Sequence, residues 1–367
     1  MLNNSNVVIS FVDGPSVEVR DVEGDVFVEF IDNDTKEVVH SGMIKSNHWI
    51  KASRRWFTNW LIRLTDLNGE IAEYVFDIRG KRVLIWFDSS SVGDNLGWIS
   101  SVERFRRIYK CQVVCSTFWN HLFRDTYPEI IFVEPGEAVP GLYASFAIGD
   151  YDGDINKNRE EWRTVPLQKI ASDILGLPYE STRPKLNVPD LPRNIKEKYV
   201  CIAIHSTLQC KYWNYPKGWQ ILVNYFHKIG YKVVQISKEG NWHKGNKIPN
   251  RTIKKFGSIP LEERMVDLKY ADMFVGVSSG LAWLSWAIGT PTIIISGTTK
   301  PWVEPSDGVE RVFNDKVCNG CLNDGSLQLN RGEWNYCPRG NDFECSKAIT
   351  PEMVIEKVDK IVGQRYE

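Results

Sequence analysis

Hydrophobic and polar residues alternate with a period of two through the first 80 residues of the chain. Segments such as NVVISFVDG, DVFVEFID and WLIRLTD are separated by turn sequences such as DGP, EGD and LNGE. This alternation with regular turn signals is typical of short strands that bury one face. We therefore predict an all-β domain, a small sandwich or barrel, over residues 1–80.

From residue 81 the pattern changes to continuous apolar runs that alternate with helix-like segments. RVLIWFD, CQVVCST and EIIFVEP have the composition of strands covered on both faces, and GWISSVERFRRIYK and STFWNHLFRDTYP lie between them as predicted helices. Strands that alternate with helices predict a parallel sheet. We therefore predict a Rossmann-like domain over residues 81–190, which ends in a proline-rich linker.

The same alternation returns after the linker, in KYVCIAIHST, YKVVQIS, DMFVGVSS and TPTIIISG. It predicts a second Rossmann-like domain over residues 191–312. Clustered cysteines then indicate a metal finger over residues 313–348, and TPEMVIEKVDKIVGQ predicts a C-terminal helix over residues 349–367. Two Rossmann-like domains joined by a linker form a cleft in which nucleotide-linked ligands commonly bind.

Composition and charge narrow the classes of function. The 45 Lys and Arg residues are balanced by 46 Asp and Glu residues, so nothing indicates nucleic acid as a partner. The N-terminus MLNNSNVVIS lacks the features of a secretory signal. The strongest apolar run, PTIIISG, has the length of a strand and not of a membrane span. We expect a cytoplasmic protein.

The segment SVGDNLGWI places Asp94 between the first parallel strand and the following helix. Asp is a favoured helix N-cap, which is one interpretation. The other is a general base that takes the proton of an acceptor hydroxyl, kept ionised by the helix dipole. The segment is not a G-x-G-x-x-G fingerprint, so a dinucleotide cofactor has little support. Asp88, earlier in the same stretch, is predicted to be structural.

Two further strand ends carry groups suited to phosphate. HSTLQCKYW provides Ser206, Thr207 and Lys211, whose hydroxyls and ammonium suit a diphosphate. VGVSSGLAW places Ser279 and Gly280 before a helix, where free backbone N–H groups bind anions. A solvated loop and an ordinary serine cap are the respective alternatives. Because both motifs lie in the same predicted domain, phosphate binding is the better joint interpretation.

Four of the eight cysteines are grouped near the C-terminus with the spacing C-x2-C-x15-C-x7-C. A C-x2-C pair with two further cysteines nearby is typical of a structural four-sulfur metal site. Zinc is the commonest such metal, and the same donors suit iron. Reduced free cysteines are the alternative. The predicted ligands are Cys318, Cys321, Cys337 and Cys345.

Taken together, these motifs resemble those of the bacterial autotransporter heptosyltransferases, which are GT-B glycosyltransferases related to the lipopolysaccharide heptosyltransferases. The resemblance covers nearly the whole chain. It is carried by FDSSSVGDNLGWI, YASFAIGDYDG, RTVPLQKIASDILGL, HSTLQCKYWNYPKGW, VGVSSGLAWLSWAIGTPTIIISG and the cysteine spacing. It implies an α/β GT-B fold with two Rossmann-like domains, an N-terminal all-β domain and a four-cysteine finger.

The resemblance also implies the reaction. Heptose passes from ADP-glycero-manno-heptose to serine hydroxyls of an autotransporter adhesin in the cytoplasm, with inversion and without a catalytic metal. It further implies ferric iron in the finger and a large, ring-like homo-oligomer such as a dodecamer. By position, Asp94 matches the family's catalytic aspartate and Lys211 the lysine that holds the diphosphate, with Ser206 and Thr207 beside it.

The remaining donor-binding residues also follow from the resemblance. Ser279, Gly280 and Leu281 match the family's Thr-Gly-Leu phosphate loop, and Glu239 matches a ribose contact. Lipopolysaccharide heptosyltransferases have Asp-Thr-Gly-Leu and, two residues on, a histidine. Here those two positions are Ser278 and Trp283. The departure argues against a lipopolysaccharide acceptor, and Trp283 joins the predicted donor site.

Two other functions stay open from the sequence. The first is another GT-B enzyme, either a transferase with a different nucleotide sugar or a sugar-nucleotide epimerase. The second is a non-catalytic protein that binds a sugar nucleotide and serves in assembly.

Overall fold

The structure is a computed structural model that describes residues 6–240, 242–243, 246–328 and 334–364. The chain forms two compact units. Unit 1 comprises the chain up to Ser90, together with Trp98–Trp162 and Leu167–Thr182, and unit 2 comprises Ser91–Gly97, Arg163–Pro166 and the chain from Arg183 onward. Within the described residues, no helix is both long and apolar enough to cross a bilayer.

The N-terminal part of unit 1 consists of two antiparallel sheets, with strand orders β1-β2-β5 and β4-β3-β6-β7. In β3 and β6 alternate residues are buried, and the Phe30 side chain lies opposite Ile62 in the register. This is the period-two alternation of the sequence, expressed as sheets with one buried face. The strands are β1 (Val7–Ser10), β2 (Ser16–Val19), β3 (Val26–Asp32), β4 (Val38–Ile44), β5 (His48–Lys51), β6 (Trp60–Thr65) and β7 (Ile71–Val75).

The rest of unit 1 is built on a four-stranded parallel sheet of order β10-β9-β8-β11. Its strands are β8 (Arg82–Phe87), β9 (Gln112–Ser116), β10 (Ile131–Val133) and β11 (Ala144–Ile148). Its helices are α1 (Val92–Tyr109), whose residues up to Gly97 belong to unit 2, α2 (Asn120–Phe123) and α3 (Leu167–Ile174). Strand β8 lies between β9 and β11, so the strand order reverses beside β8.

One predicted helix is mostly wrong. Of the segment STFWNHLFRDTYP, only the four residues of α2 are helical. The Asn120 side chain accepts hydrogen bonds from the Thr117 backbone N–H and hydroxyl, both at 3.0 Å, and donates to the Val133 carbonyl at 2.7 Å. Such side-chain bonds to the backbone compete with a helix and favour a turn.

Unit 2 is built on a six-stranded parallel sheet of order β16-β13-β12-β17-β18-β19. Its central strands are buried throughout, as their continuous apolar runs predict. The strands of this sheet are β12 (Tyr199–Ala203), β13 (Lys232–Ile236), β16 (Ile253–Lys255), β17 (Phe274–Val277), β18 (Thr292–Ile295) and β19 (Val309–Val312). Two short strands, β14 (Trp242–His243) and β15 (Asn246–Lys247), form a separate antiparallel pair. The helices are α4 (Gly218–Lys228), α5 (Leu261–Lys269), α6 (Gly280–Ile288), α7 (Glu344–Lys347) and α8 (Pro351–Gln364).

The core of unit 2 joins its sheet to the C-terminal helix. Val354 and Val358 of α8 are fully buried and belong to the same apolar cluster as Val223 and Phe226 of α4. The strand order reverses between β12 and β17, since β13 lies on one side of β12 and β17 on the other. In parallel α/β sheets, ligands bind outside the carboxyl ends of the strands at such a point.

Candidate functional site

Three neighbouring strands of unit 2 end at the predicted donor-binding residues. Ser206, Thr207 and Lys211 follow β12, Ser279 follows β17, and Glu239 follows β13. Because these strands are parallel, their carboxyl ends lie at one edge of the sheet. The structure therefore brings the donor-binding candidates from three separate sequence motifs to the same edge, at the reversal of strand order.

One hydrogen bond joins the lysine loop (residues 206–212) to the serine turn (residues 278–281), and a second closes the lysine loop on itself. The Ser206 hydroxyl donates to the Ser278 carbonyl at 3.5 Å, and the Tyr212 hydroxyl donates to the Ser206 carbonyl at 3.2 Å. Burial raises the pKa of Tyr212, so this hydroxyl stays protonated as a donor. The two segments therefore form one connected wall of the site.

The serine turn rests on a buried ion pair that the sequence analysis missed. The Ser278 hydroxyl donates to Glu304 Oε1 at 2.5 Å, and Glu304 Oε2 lies 3.1 Å from Arg311 Nη1. The Glu304 side chain is 1% exposed, and burial lowers the pKa of Arg311 while Glu304 opposes that shift. Breaking a buried pair typically costs about 3–5 kcal/mol. Glu304 thus places a fixed carboxylate directly behind Ser278.

The first turn of α1 packs against the first turn of α6. A Cβ atom on Gly93 would lie 3.1 Å from Trp283 Cδ1 and 3.4 Å from the Gly280 Cα, and one on Gly280 would collide with the Val92 side chain. Glycine at both positions is what permits this close approach of two backbones. The segment Ser91–Gly97 accordingly belongs to unit 2. The turn that carries Asp94 therefore lies beside the serine turn.

Asp94 is not the helix N-cap, which was one interpretation of the sequence. The helix begins at Val92, so Asp94 is the acidic residue of its first turn. The Asn95 backbone N–H donates to the Ser91 carbonyl at 3.2 Å, as expected in a first helical turn. A carboxylate in this turn is stabilised in its ionised form by the helix dipole.

The structure places Trp283 in the packing between these two turns. It is 6% exposed and stacks edge-on against Trp286, with ring centroids 5.6 Å apart. Leu281 lies on the same first turn of α6 and is partly exposed. A contact of either residue with a donor stays a prediction.

Glu239 lies beyond the end of β13 in a short turn. Its Oε2 accepts a hydrogen bond from the Ser237 hydroxyl at 2.6 Å, and the Ser237 carbonyl accepts one from Arg264 at 3.0 Å. These bonds orient the partly buried carboxylate at the edge of the sheet, where a ribose contact is predicted.

A cavity of about 570 Å³ opens beside the lysine loop. Gln209 of that loop, Trp219 and Gln220 of α4, and Lys247 line parts of its wall. The described lining residues include two lysines and several side-chain amides, and no Asp or Glu. Such a wall favours an anionic or strongly polar ligand.

The four finger cysteines lie close enough to affect one another. Burial raises the pKa of Cys321 to about 12, and the charges of Cys210, Cys337 and Cys318 add to the shift. Burial likewise raises the pKa of Cys345 to about 12, again with contributions from the other finger cysteines. Thiols held together in this way fit a cation that stabilises thiolates.

Their arrangement is nevertheless not a coordination shell. Across the described part of the chain, no group of three or more His, Cys, Asp or Glu side chains has the geometry of a metal centre. Four thiol groups are nevertheless donors that suit a thiophilic metal. This donor set does not distinguish iron from zinc. Arg339, whose Nη1 lies 3.8 Å from Cys318 Sγ, supplies a positive charge beside the sulfurs.

Unit 1 contains a separate cavity of about 200 Å³, which lies where β8 and β11 run side by side. Asp88 lines it and shares a hydrogen bond with Tyr151, whose pKa is raised by burial and by this carboxylate. Asp13 and Arg55, which form an ion pair at 3.2 Å, line it as well. Asp88 was predicted to be structural, and the structure bonds it to Tyr151.

Comparisons with known proteins identify the family to which the chain is similar. The family Glycosyltransferase family 9 (heptosyltransferase) matches residues 164–319. The autotransporter heptosyltransferase BAHTCr of Citrobacter rodentium is 34% identical over 95% of this chain and 87% of its own. The inactive autotransporter heptosyltransferase BimC of Burkholderia thailandensis is 30% identical over 97% of this chain and 86% of its own.

A solved structure is similar over almost the whole chain. The iron-containing dodecameric glycosyltransferase TibC of enterotoxigenic Escherichia coli superposes with a TM-score of 0.92 and 31% identity, over 99% of this chain and 97% of TibC. A second crystal structure shows TibC in complex with ADP-D-β-D-heptose and has a TM-score of 0.91. The predicted α/β, GT-B-like fold with parallel sheets is thereby confirmed.

Proposed function

This chain belongs to the autotransporter heptosyltransferases and is a glycosyltransferase, and from that premise we propose its reaction. Heptose passes from ADP-glycero-manno-heptose to serine hydroxyls of an autotransporter adhesin, with inversion at the anomeric carbon. The observation that carries the proposal is the packing of the α1 first turn on the serine turn. This packing, within one compact unit, supports a base beside the proposed diphosphate site.

Lys211 and the N–H groups at the start of α6 would stabilise the departing ADP. As the bond between the anomeric carbon and the diphosphate breaks, its electron pair passes to the phosphate oxygen. An ammonium and a helix N-terminus at that place oppose the growing negative charge. Thr207 and Ser279 would present hydroxyls along the same edge, where Ser206 ties the lysine loop to the serine turn, and Glu239 would meet the ribose.

Asp94 would act as the general base. Its carboxylate takes the proton of the acceptor serine while the serine oxygen bonds to the anomeric carbon. The oxygen approaches from the face opposite the diphosphate, and this inverts the anomeric centre. A carboxylate in the first turn of α1 is suited to this role, since the helix dipole keeps it ionised between turnovers.

The finger would hold one structural metal ion, and iron is the metal named for TibC. The ion would tie the ends of the finger together and contribute to the stability of the fold. By the same likeness we propose a large homo-oligomer, dodecameric as TibC is. From the sequence motifs and their family resemblance we propose a cytoplasmic site of action. The ligands would be Cys318, Cys321, Cys337 and Cys345.

Replacing Lys211 with alanine is expected to weaken ADP binding more than it slows chemistry. Hydrogen bonds to charged groups contribute about 1.5–3 kcal/mol, so the Kd for ADP should rise roughly 10-fold to 150-fold. Titration calorimetry with ADP measures it. Lys228→Ala, at an exposed position of α4, is the matched control and should bind like the wild type. An unchanged Kd for Lys211→Ala would remove this lysine from the site.

A donor panel tests the reaction against its alternatives. With an adhesin passenger as acceptor, ADP-heptose should release ADP, and UDP-sugars should not be consumed. Turnover of UDP-sugars without ADP-heptose would indicate another transferase or an epimerase. The likeness to an inactive relative favours one further candidate, a non-catalytic binding protein. Binding of ADP-heptose without acceptor-dependent release of ADP would support it.

A further inference from the structure

We propose that the cysteine finger is a positioning element of the donor site, which holds the lysine loop in place and so sets the affinity for a nucleotide diphosphate. The inference rests on the proposed role of Lys211 in donor binding. The chain is attached to the finger on both sides of Lys211, at Cys210 and at Asn214, through contacts within unit 2.

The first attachment lies directly before Lys211. The Cys210 backbone N–H donates to the Trp334 carbonyl at 3.1 Å, and Cys210 is buried in a cluster with Cys321 and Trp334. Leu208, which directly precedes the 3₁₀ turn Gln209–Lys211, packs against this cluster as well. The residue that precedes the lysine is therefore part of the interior of the finger.

A second contact links Cys210 to the chain on which the finger is seated. The Thr298 hydroxyl donates to the Cys210 carbonyl at 2.5 Å, and the Thr298 carbonyl accepts the Leu322 N–H at 3.0 Å. Gly297, beside it, accepts the Gly320 N–H at 2.7 Å. A Cβ on Gly297 would lie 2.6 Å from the Cys345 Cβ, so the segments that contain Gly297 and Cys345 are in close contact.

The other attachment follows the lysine loop. Asn214 Nδ2 donates to the Ser346 hydroxyl at 2.9 Å, and Trp213 Nε1 donates to the Ile349 carbonyl at 2.8 Å. Ser346 is the residue after the fourth finger cysteine and is 2% exposed. Two predicted metal ligands, Cys321 and Cys345, thus lie next to the two anchors of the lysine loop.

Arg163 binds the finger through hydrogen bonds to its backbone. Its guanidinium donates to the Leu322, Leu327 and Cys321 carbonyls at 2.8, 2.7 and 3.2 Å, and the arginine is 5% exposed. Asn323 returns a bond to the Arg163 carbonyl at 2.7 Å. These bonds fix the backbone of the described part of the finger, to which the lysine loop is attached.

The lysine itself has no comparable support. Among the described residues, none accepts a hydrogen bond from the Lys211 ammonium, and its loop is a single 3₁₀ turn over Gln209–Lys211. The backbone on either side therefore sets where the lysine side chain begins and which region its ammonium can reach. A loop that must be ordered on binding lowers the affinity, so anchors that order it beforehand raise the affinity.

The test is Ser346→Ala, which removes the acceptor of the Asn214 bond and leaves the lysine and the cysteines intact. We expect the Kd for ADP to rise about threefold to tenfold, the loss typical of one buried hydrogen bond. The Kd for adenosine, which has no diphosphate, should not change. Ser326→Ala is the matched control, because Ser326 is an exposed finger residue that bonds to Asp324.

A double-mutant cycle with Lys211→Ala separates positioning from general damage. If the finger acts through the lysine, Ser346→Ala should cause no further loss of ADP affinity in the Lys211→Ala protein. Equal losses in both backgrounds, or an unchanged Kd in the single variant, would overturn the proposal. Because the readout is ADP binding, failure of heptose transfer alone would count against the proposed function and not against this inference.

Discussion

Replacing Asp94 with asparagine is expected to remove sugar transfer while leaving the binding of ADP-heptose intact. Asparagine keeps the size of the side chain and cannot take the serine proton. Loss of a positioned base typically lowers the rate by about 10²–10⁴-fold. Single-turnover transfer to an adhesin passenger measures the rate, and titration with ADP-heptose measures the binding.

Asp88→Asn is the matched control for this experiment. Both aspartates lie in the stretch FDSSSVGD after β8, but Asp88 lines the unit 1 cavity and is bonded to Tyr151. We expect the Asp88 variant to transfer heptose at close to the wild-type rate. Near wild-type transfer by Asp94→Asn, with loss of transfer in Asp88→Asn, would reverse the two assignments.

Replacing Cys318 with serine is expected to release the bound metal and destabilise the finger. Metal binding by sites of this type is coupled to folding and contributes about 10–16 kcal/mol in isolated zinc fingers. We therefore expect about one metal ion per wild-type chain, and in the variant loss of the metal, a lower Tm and loss of assembly. Elemental analysis, thermal unfolding and light scattering check the three outcomes.

Cys111→Ser provides the comparison, since Cys111 is a buried cysteine of unit 1, outside the finger. It should keep its metal and its assembly state. Freshly purified wild-type protein without metal would contradict the metal site itself. A Cys318→Ser protein that keeps both metal and assembly would exclude that cysteine as a ligand.

Much of the fold follows from local patterns in the sequence. Continuous apolar runs identify β12, β17 and β18 because a strand covered on both faces has no polar side. The period-two segments likewise correspond to the antiparallel strands of residues 7–75. The helix prediction around Asn120 fails because the amide side chain of this residue bonds to the backbone and favours a turn. The hydrophobic periodicity of the sequence contains no information about such a bond.

Some residues of the candidate site can likewise be predicted from local sequence patterns, and others cannot. Hydroxyls, a lysine and glycines at strand ends are visible in the sequence because parallel strands bring their carboxyl ends together. Glu304 is not visible, since it lies 26 residues from Ser278 and its role exists only in the folded chain. The place of Cys210 is not visible either, since it lies more than 100 residues before the grouped cysteines of the sequence and is buried against Cys321 and Trp334 only in the folded chain.

Long-range contacts also explain why the finger was predicted as a separate metal domain. Arg163 is about 160 residues from the carbonyls it binds, as in its bond to the Leu322 carbonyl at a separation of 159. The cysteine spacing predicts a metal and says nothing about what the finger supports. The structure adds the attachments on both sides of Lys211, which join the two motifs physically.

The most direct measurement is the mass of an autotransporter passenger after incubation with this protein and ADP-heptose. We expect mass increments of whole heptosyl residues, which disappear when the modified serines are replaced by alanine and when the enzyme carries Asp94→Asn. An unmodified passenger in the presence of bound ADP-heptose and intact wild-type protein would contradict the account.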